Sequence, residues 1–239
     1  MTKYIKNIIL TSRPLNVVIS IATTSLAANM LELNNNNLLV KMIMVVATSV
    51  FIANALNDIF DHKIDTINRP NRPLASGSIS LNALLAAVIA ISIVNLVVLF
   101  SLNAMALYFC ICLIYPLIFM YTPLFKPTPL IGNAIISAIL GFVFLFVDIC
   151  INQTISNMVP PFVLAFMLTI IREVVKDMQD LDGDKKMNLN TLPNVIGIEK
   201  SIYIIRLLSL MLFGIGFFFW KELGLSTYYL ATFTGFIIM

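Results

Sequence analysis

Apolar residues run through this chain in long blocks rather than in stripes. A bilayer span needs about 20 mainly apolar residues. Blocks of that kind fall at 15–32, 38–57, 81–101, 104–122, 130–150, 159–176, 202–220 and 226–239. Short polar segments separate them, such as "NNNN" at 34–37, which reads as a turn. The last block is still apolar at Met239, so a short final helix and a longer native segment are both open. The pattern predicts an all-α, multispan transmembrane bundle of about eight to nine helices, with residues 1–239 forming a single membrane domain and no internal repeat.

Composition strengthens that reading. The chain is 59% hydrophobic and only 11% charged, whereas a soluble domain is nearer half apolar and a quarter charged. A net charge of +3, spread thinly between spans, does not suggest a nucleic-acid partner. Cys110, Cys112 and Cys150 lie in apolar stretches and read as buried membrane thiols. With no C-x-x-C spacing and the lone histidine His62, a zinc site is not expected. The basic start "MTKYIKNIILTSRPLN" is followed by no small-residue cleavage site, so no cleavable signal peptide is expected.

Charge also sets an orientation. Lys3, Lys6, Arg13, Lys63, Arg69, Arg72, Lys126, Arg172, Lys176, Lys185, Lys186, Lys200 and Arg206 fall on one side of the eight-span arrangement. Only Lys41 and Lys221 fall on the other. Positive residues favour the cytoplasmic side. The expectation is a multi-pass cell-membrane protein with a cytoplasmic N-terminus and cytoplasmic loops after spans two, four and six.

Two acidic clusters end apolar blocks on that same side. Asn57, Asp61 and Asp65, in "NDIFDHKID", are spaced i, i+4, i+8. Asp177, Asp180 and Asp184, in "DMQDLDGD", are spaced i, i+3, i+7. On a continuing helix each set lies on one face. Carboxylates stacked on one face repel unless a positive charge lies between them. Their hard oxygens suit magnesium, which takes a few carboxylates plus phosphate oxygens and water. Ionisable groups at membrane depth are costly and point to function. Asp58 and Asp182 lie off these sets and read as solvated or supporting residues, and His62 as an ordinary interfacial residue.

Basic residues surround the clusters. The loop "TINRPNRPLASGSIS" (66–80) carries Arg69 and Arg72, each followed by a proline that restricts the backbone. Arginine suits bidentate phosphate contact. Lys126 sits in "YTPLFKPTPL", and Arg172 and Lys176 lie four apart in "IIREVVKDMQD". Arg172 and Lys176 could pair with the acids or meet a phosphate, and Arg69 and Arg72 could meet a phosphate or anchor the topology. Arg13 in "TSRPLN" could meet an acceptor phosphate at the first span's cytoplasmic end, with a topology signal the expected reading.

These residues resemble the UbiA superfamily of intramembrane prenyltransferases. Asn57, Asp61 and Asp65 match its N-x-x-x-D-x-x-x-D motif, and Asp177, Asp180 and Asp184 its D-x-x-D-x-x-x-D motif. The likeness extends to "NRPNRPLASG", to "YTPLFK…GN" through Asn133, and to "TLPNVIG" at 191–197. It implies helices packed around a central cavity open laterally to lipid, and two magnesium ions at the two motifs bridging a prenyl diphosphate. Arg69, Arg72, Lys126 and Arg172 would offset the remaining charge of that diphosphate. Tyr115 and Tyr121 are candidates to stabilise an allylic cation through their ring faces, or to pack. Within the superfamily, "NDIFDHKIDTINRPNRPLASG" and "REVVKDMQDLDGDKKMNLNTLPNVIG" look most like its ether-lipid branch. That branch transfers geranylgeranyl from its diphosphate to the hydroxyl of geranylgeranylglyceryl phosphate. An aromatic acceptor of quinone or chlorophyll synthesis is the nearest alternative. A divalent-cation transporter is the rival from another class, although transport sites usually lie near the midplane. A membrane scaffold without enzymatic activity is a further one.

Overall fold

The computed structural model describes residues 2–186 and 189–238. Side chains of residues 2–4, 182, 186 and 236–238 lie outside that description, and with them the readings of Lys3, Asp182 and Lys186. Among the described residues every regular element is helical. In chain order these are α1 (Thr2–Thr11), α2 (Pro14–Met30), α3 (Asn36–Phe60), α4 (His62–Asn68) and α5 (Leu81–Phe100). There follow α6 (Ala104–Phe125), α7 (Ile131–Asn152), α8 (Val159–Gln179) and α9 (Leu181–Lys186). The last are α10 (Leu192–Ile196), α11 (Ile198–Glu222) and α12 (Thr227–Ile238).

Local chemistry sets the boundaries. Asn35, inside the "NNNN" turn, caps α3 by accepting from the Leu38 N–H at 3.1 Å. Ser80 and Asn103 cap α5 and α6 in the same way, satisfying donors that have no partner within the helix. Pro14 opens α2 at a position where the missing N–H costs nothing. Arg13 before it takes a left-handed backbone, φ 52°, and α1 meets α2 at a bend of 62°. Two π-helical turns, Cys110–Ile114 and Tyr121–Phe125, interrupt α6.

Among the described residues α3, α5, α6, α7 and α11 are each long and apolar enough to cross a bilayer, and α1 with α2 would make a sixth bent span. Two of the eight apolar blocks stand outside this set. The 159–176 block does form a helix, but Arg172, Glu173 and Lys176 dilute its apolar run. Within the 226–239 block α12 covers the 12 residues Thr227–Ile238.

The chain divides into two compact units. One comprises Met1–Leu124 and Phe142–Met158, the other Phe125–Gly141 and Val159–Met239. In the first, α3 packs against α2 and α5. Ala27, Ala28 and Ala55 are buried there with Met42, Val45 and Leu84; small side chains let helix backbones approach where lipid removes the hydrophobic drive. Asn95 of α5 is buried at that contact and donates to the Val45 carbonyl at 3.0 Å and the Thr48 hydroxyl at 2.7 Å. Buried Asp148 near the end of α7 accepts from the Asn157 and Met158 N–H groups, which fastens the connection to α8. In the second unit α8 packs on α11. Large apolar side chains point outward, among them Val97 at 66% exposed and Leu210 at 68%.

Candidate active site at two acidic motifs

Both acidic motifs cross a helix boundary without losing helical register. The Asp61 N–H donates to the Asn57 carbonyl and the Asp65 N–H to the Asp61 carbonyl, both at 2.8 Å. Asp61 is the junction of α3 and α4. In the second motif, the Asp180 N–H donates to the Lys176 carbonyl and the Asp184 N–H to the Asp180 carbonyl, both at 3.0 Å. Asp180 is the junction of α8 and α9. Each i→i−4 link is an α-helical bond, so each oxygen set keeps to one face although its middle aspartate stands between two helices.

The first motif is buried and saturated with arginine. Asp58, Asp61 and Asp65 are all buried, Asp58 at 3% exposed. The Arg13 guanidinium donates to Asp58 Oδ1 at 2.9 Å. Arg72 Nη1 donates to the same Asp58 oxygen at 3.1 Å and to Asp65 Oδ2 at 2.5 Å. Asp58 is therefore not solvated; it is the node that joins two arginines. Arg69 is exposed and Asn57 half-buried. Thr122, on the π-helical turn of α6, donates its hydroxyl to Asn57 Oδ1, which leaves the second lone pair of that amide oxygen for another partner. Such π turns recur at functional sites.

The second motif is more open, and a neutral donor replaces the arginines. Asn133 near the start of α7 is buried, and its Nδ2 donates to Asp177 Oδ2 at 2.7 Å. Gly132 makes this placement possible: a Cβ there would lie 2.6 Å from the Phe125 carbonyl oxygen. Burial pushes the Asp177 carboxyl up to about 6; the Asn133 bond and the Lys176 charge pull it down, while Asp184 and Glu173 push it up. Asp184 is raised as well, chiefly by burial, with Thr191, Lys126 and Lys176 acting against it and Asp180 with it. Arg172 and Lys176 do not pair with this stripe. They flank buried Glu173, at 2.6 Å and 3.4 Å.

Of the remaining candidates, Tyr121 is half-buried on its π turn. Tyr115 donates its hydroxyl to Asn95 Oδ1, so its phenol belongs to the polar contact between α3 and α5. Sequence reasoning passed over Glu173, Thr122 and the bridging role of Asp58. Glu173 did carry a signal: it lies one turn before Asp177 on the same face, with a basic residue on either side.

The donor set fits magnesium. Among the described residues no group of three or more His, Cys, Asp or Glu side chains forms a metal cage of protein groups alone. Magnesium is usually held by one or two carboxylates, with phosphate oxygens and water completing its octahedron. Asp61 and Asp65 beside Asn57, and Asp177 beside Asp180 and Asp184, supply that kind of partial shell.

Helices apolar enough to cross a bilayer, with one oxygen stripe at the end of α3 and another at the end of α8, define an integral membrane protein with two acidic motifs. The UbiA prenyltransferase family model matches residues 17–239, and the chain belongs to that family. Digeranylgeranylglyceryl phosphate synthase of Methanosarcina barkeri is 37% identical over 201 residues, covering 82% of this chain and 67% of that protein. The synthase of the same name from Natronomonas pharaonis is 34% identical over 151 residues, and the match covers 63% of this chain and 54% of that relative. The chain thus spans little more than half the length of some curated relatives it matches. A solved structure concerned with digeranylgeranylglyceryl phosphate synthase in membranes superposes with a TM-score of 0.80 at 29% identity, over 100% of this chain and 85% of that one. A UbiA homolog from Archaeoglobus fulgidus bound to DMAPP and Mg2+ superposes with a TM-score of 0.79, over 97% of this chain and 86% of that one. At 16% identity that second likeness establishes the fold alone.

Proposed function

We propose that this chain is a magnesium-dependent intramembrane prenyltransferase. It transfers geranylgeranyl from geranylgeranyl diphosphate to the free hydroxyl of geranylgeranylglyceryl phosphate, a step of ether-lipid synthesis. The observation that carries the reading is the helical register kept through both motifs, which holds each oxygen set on one face. The names of the relatives support the same substrate class.

Asn57, Asp61 and Asp65 would hold one magnesium ion, and Asp177, Asp180 and Asp184 a second. Bound magnesium supplies positive charge to the diphosphate oxygens as the leaving group departs. Arg69, Arg72, Lys126 and Arg172 offset the charge that remains. Asn133 holds Asp177 in place, and Lys176 and Arg13 steady the acids beside them. The C1–O bond of the donor breaks, the acceptor hydroxyl oxygen bonds to C1, its proton passes to diphosphate or water, and diphosphate leaves. Apolar helices exclude the water that would capture an allylic cation. The charge bias of the loops supports a cytoplasmic N-terminus and cytoplasmic motifs.

Purified protein in lipid, given geranylgeranyl diphosphate and magnesium, tests the reading with geranylgeranylglyceryl phosphate and 4-hydroxybenzoate offered in parallel. The expected product is the glyceryl ether alone. Prenylation of the aromatic acid alone would move the chain to an aromatic acceptor. Metal flux in proteoliposomes without diphosphate release would replace the enzyme with a transporter.

A further inference from the structure

We propose that Asp58 is a positioning residue that binds no metal and instead holds the Arg13 and Arg72 guanidinium groups beside the first motif for a diphosphate ligand. The proposal rests on the prenyltransferase reading and adds a role which that reading leaves unassigned.

The geometry separates Asp58 from its neighbours. Its Oδ1 accepts from two guanidinium groups, at 2.9 Å and 3.1 Å. An oxygen so engaged is a poor cation ligand, because it already faces two positive charges. Arg72 in turn bridges Asp58 and Asp65 through Nη1. The result is a chain, Arg13–Asp58–Arg72–Asp65, in which two positive and two negative charges cancel. A guanidinium carries five N–H donors, more than these carboxylate contacts consume.

The backbone is built to deliver Arg13. Its left-handed conformation, φ 52°, is unfavourable for a residue other than glycine, and neighbouring contacts hold it there. Asn54 of α3 donates to the Ser12 carbonyl at 2.9 Å. Asn7 of α1 donates to the Ser78 carbonyl at 2.7 Å, in the loop that also carries Arg72. Three links therefore stitch the N-terminal segment to α3 and to the 66–80 loop. Side-chain exposure is 32% for Arg13 and 17% for Arg72, against 3% for Asp58. The acid is sealed while both bases still reach the surface. Removing it would leave two partly buried positive charges without their shared partner.

Full-length protein in lipid nanodiscs, with inorganic pyrophosphate and magnesium as probe in titration calorimetry, tests the role. Asp58→Asn is expected to weaken pyrophosphate binding about tenfold at saturating magnesium, with the half-saturating magnesium concentration unchanged. Arg72→Gln should act similarly, and Asp58→Glu should keep most of the affinity. In a variant that already carries Arg13→Gln and Arg72→Gln, Asp58→Asn should add nothing, because no guanidinium remains to be held; this background also decides the question if Asp58→Asn alone does not fold. A higher magnesium requirement with normal pyrophosphate affinity would make Asp58 a ligand and overturn the proposal, as would a further loss of affinity when Asp58→Asn is added to that background. Wild-type prenyl transfer beside an unaffected Asp58→Asn variant would sink the positioning role alone. Wild-type protein that binds no pyrophosphate would sink both readings.

Discussion

The two acidic motifs share a final i, i+4 step and an unbroken backbone register, yet differ in how their charge is balanced. The first is buried among arginines that reach it from the α1–α2 bend and the 66–80 loop. The second relies on the Asn133 amide and on lysines, and its own basic neighbours Arg172 and Lys176 attend Glu173. Strong ion pairs keep a carboxylate charged, whereas burial beside a neutral donor raises its affinity for a proton. The first motif is thus neutralised in place by fixed guanidinium groups, whereas Asp177 of the second, raised by burial, exchanges a proton for a cation more readily. Glu173 parallels Asp58 as a buried acid one turn before a motif aspartate, but its partners are more exposed, so the parallel is weaker in screening and in energy.

The largest expected effect tests the similarity. Asp61→Asn and Asp180→Asn each remove a charged donor at the middle of a motif and should lower kcat by about a thousandfold while circular dichroism and gel filtration stay native. Near-normal turnover in both would end the proposal of one magnesium ion per motif.

The difference is tested by pH. Asp177 is raised to about 6. In metal-free protein, a raised carboxyl contributes stability below the unfolded value, and that contribution is lost as pH climbs through about 6. Magnesium needs the ionised form, so its binding should weaken as pH falls through the same point. The half-saturating magnesium concentration should rise about tenfold between pH 7.5 and pH 5. Asn133→Leu removes a bond that favours the ionised form and should move this limb to higher pH. A flat profile would mean that Asp177 does not limit magnesium binding in this range.

A smaller effect sharpens the contrast in architecture. In Gly132→Ala the new methyl would meet the Phe125 carbonyl oxygen, a backbone atom that cannot swing aside. Overpacking of this kind costs about 1–3 kcal/mol, read as a lower Tm in detergent, and it should disturb the Asn133–Asp177 bond without reaching Asp61. An unchanged Tm would remove the need for glycine there.

How much of this the sequence revealed depended on distance along the chain. The oxygen stripes were legible, because i, i+3 and i+4 spacings translate directly into one helical face. The spans were legible as apolar blocks, although the charged end of α8 dilutes one of them. The arginine pairs were not. Arg13 reaches Asp58 across 45 residues through a left-handed turn, and no local pattern encodes that approach. Tyr115 stood open as a cation contact because its partner Asn95 lies 20 residues away on another helix. The helices meet at Asp61 and Asp180, where periodicity alone gave no reason to expect a junction, although the hydrogen bonds run on.

The outward-facing apolar residues reverse an ordinary rule of mutational tolerance. In a water-soluble protein, a side chain as open as Val97, 66% exposed on α5, could be exchanged for lysine at almost no cost. Here the medium it meets is hydrocarbon, and a lysine near the centre of such a span costs about 2.5–3.5 kcal/mol on insertion scales. Openness on these helices therefore marks positions where polar replacements are penalised. The forgiving positions are those where apolar side chains of other shapes can meet fluid lipid in place of a fitted neighbour.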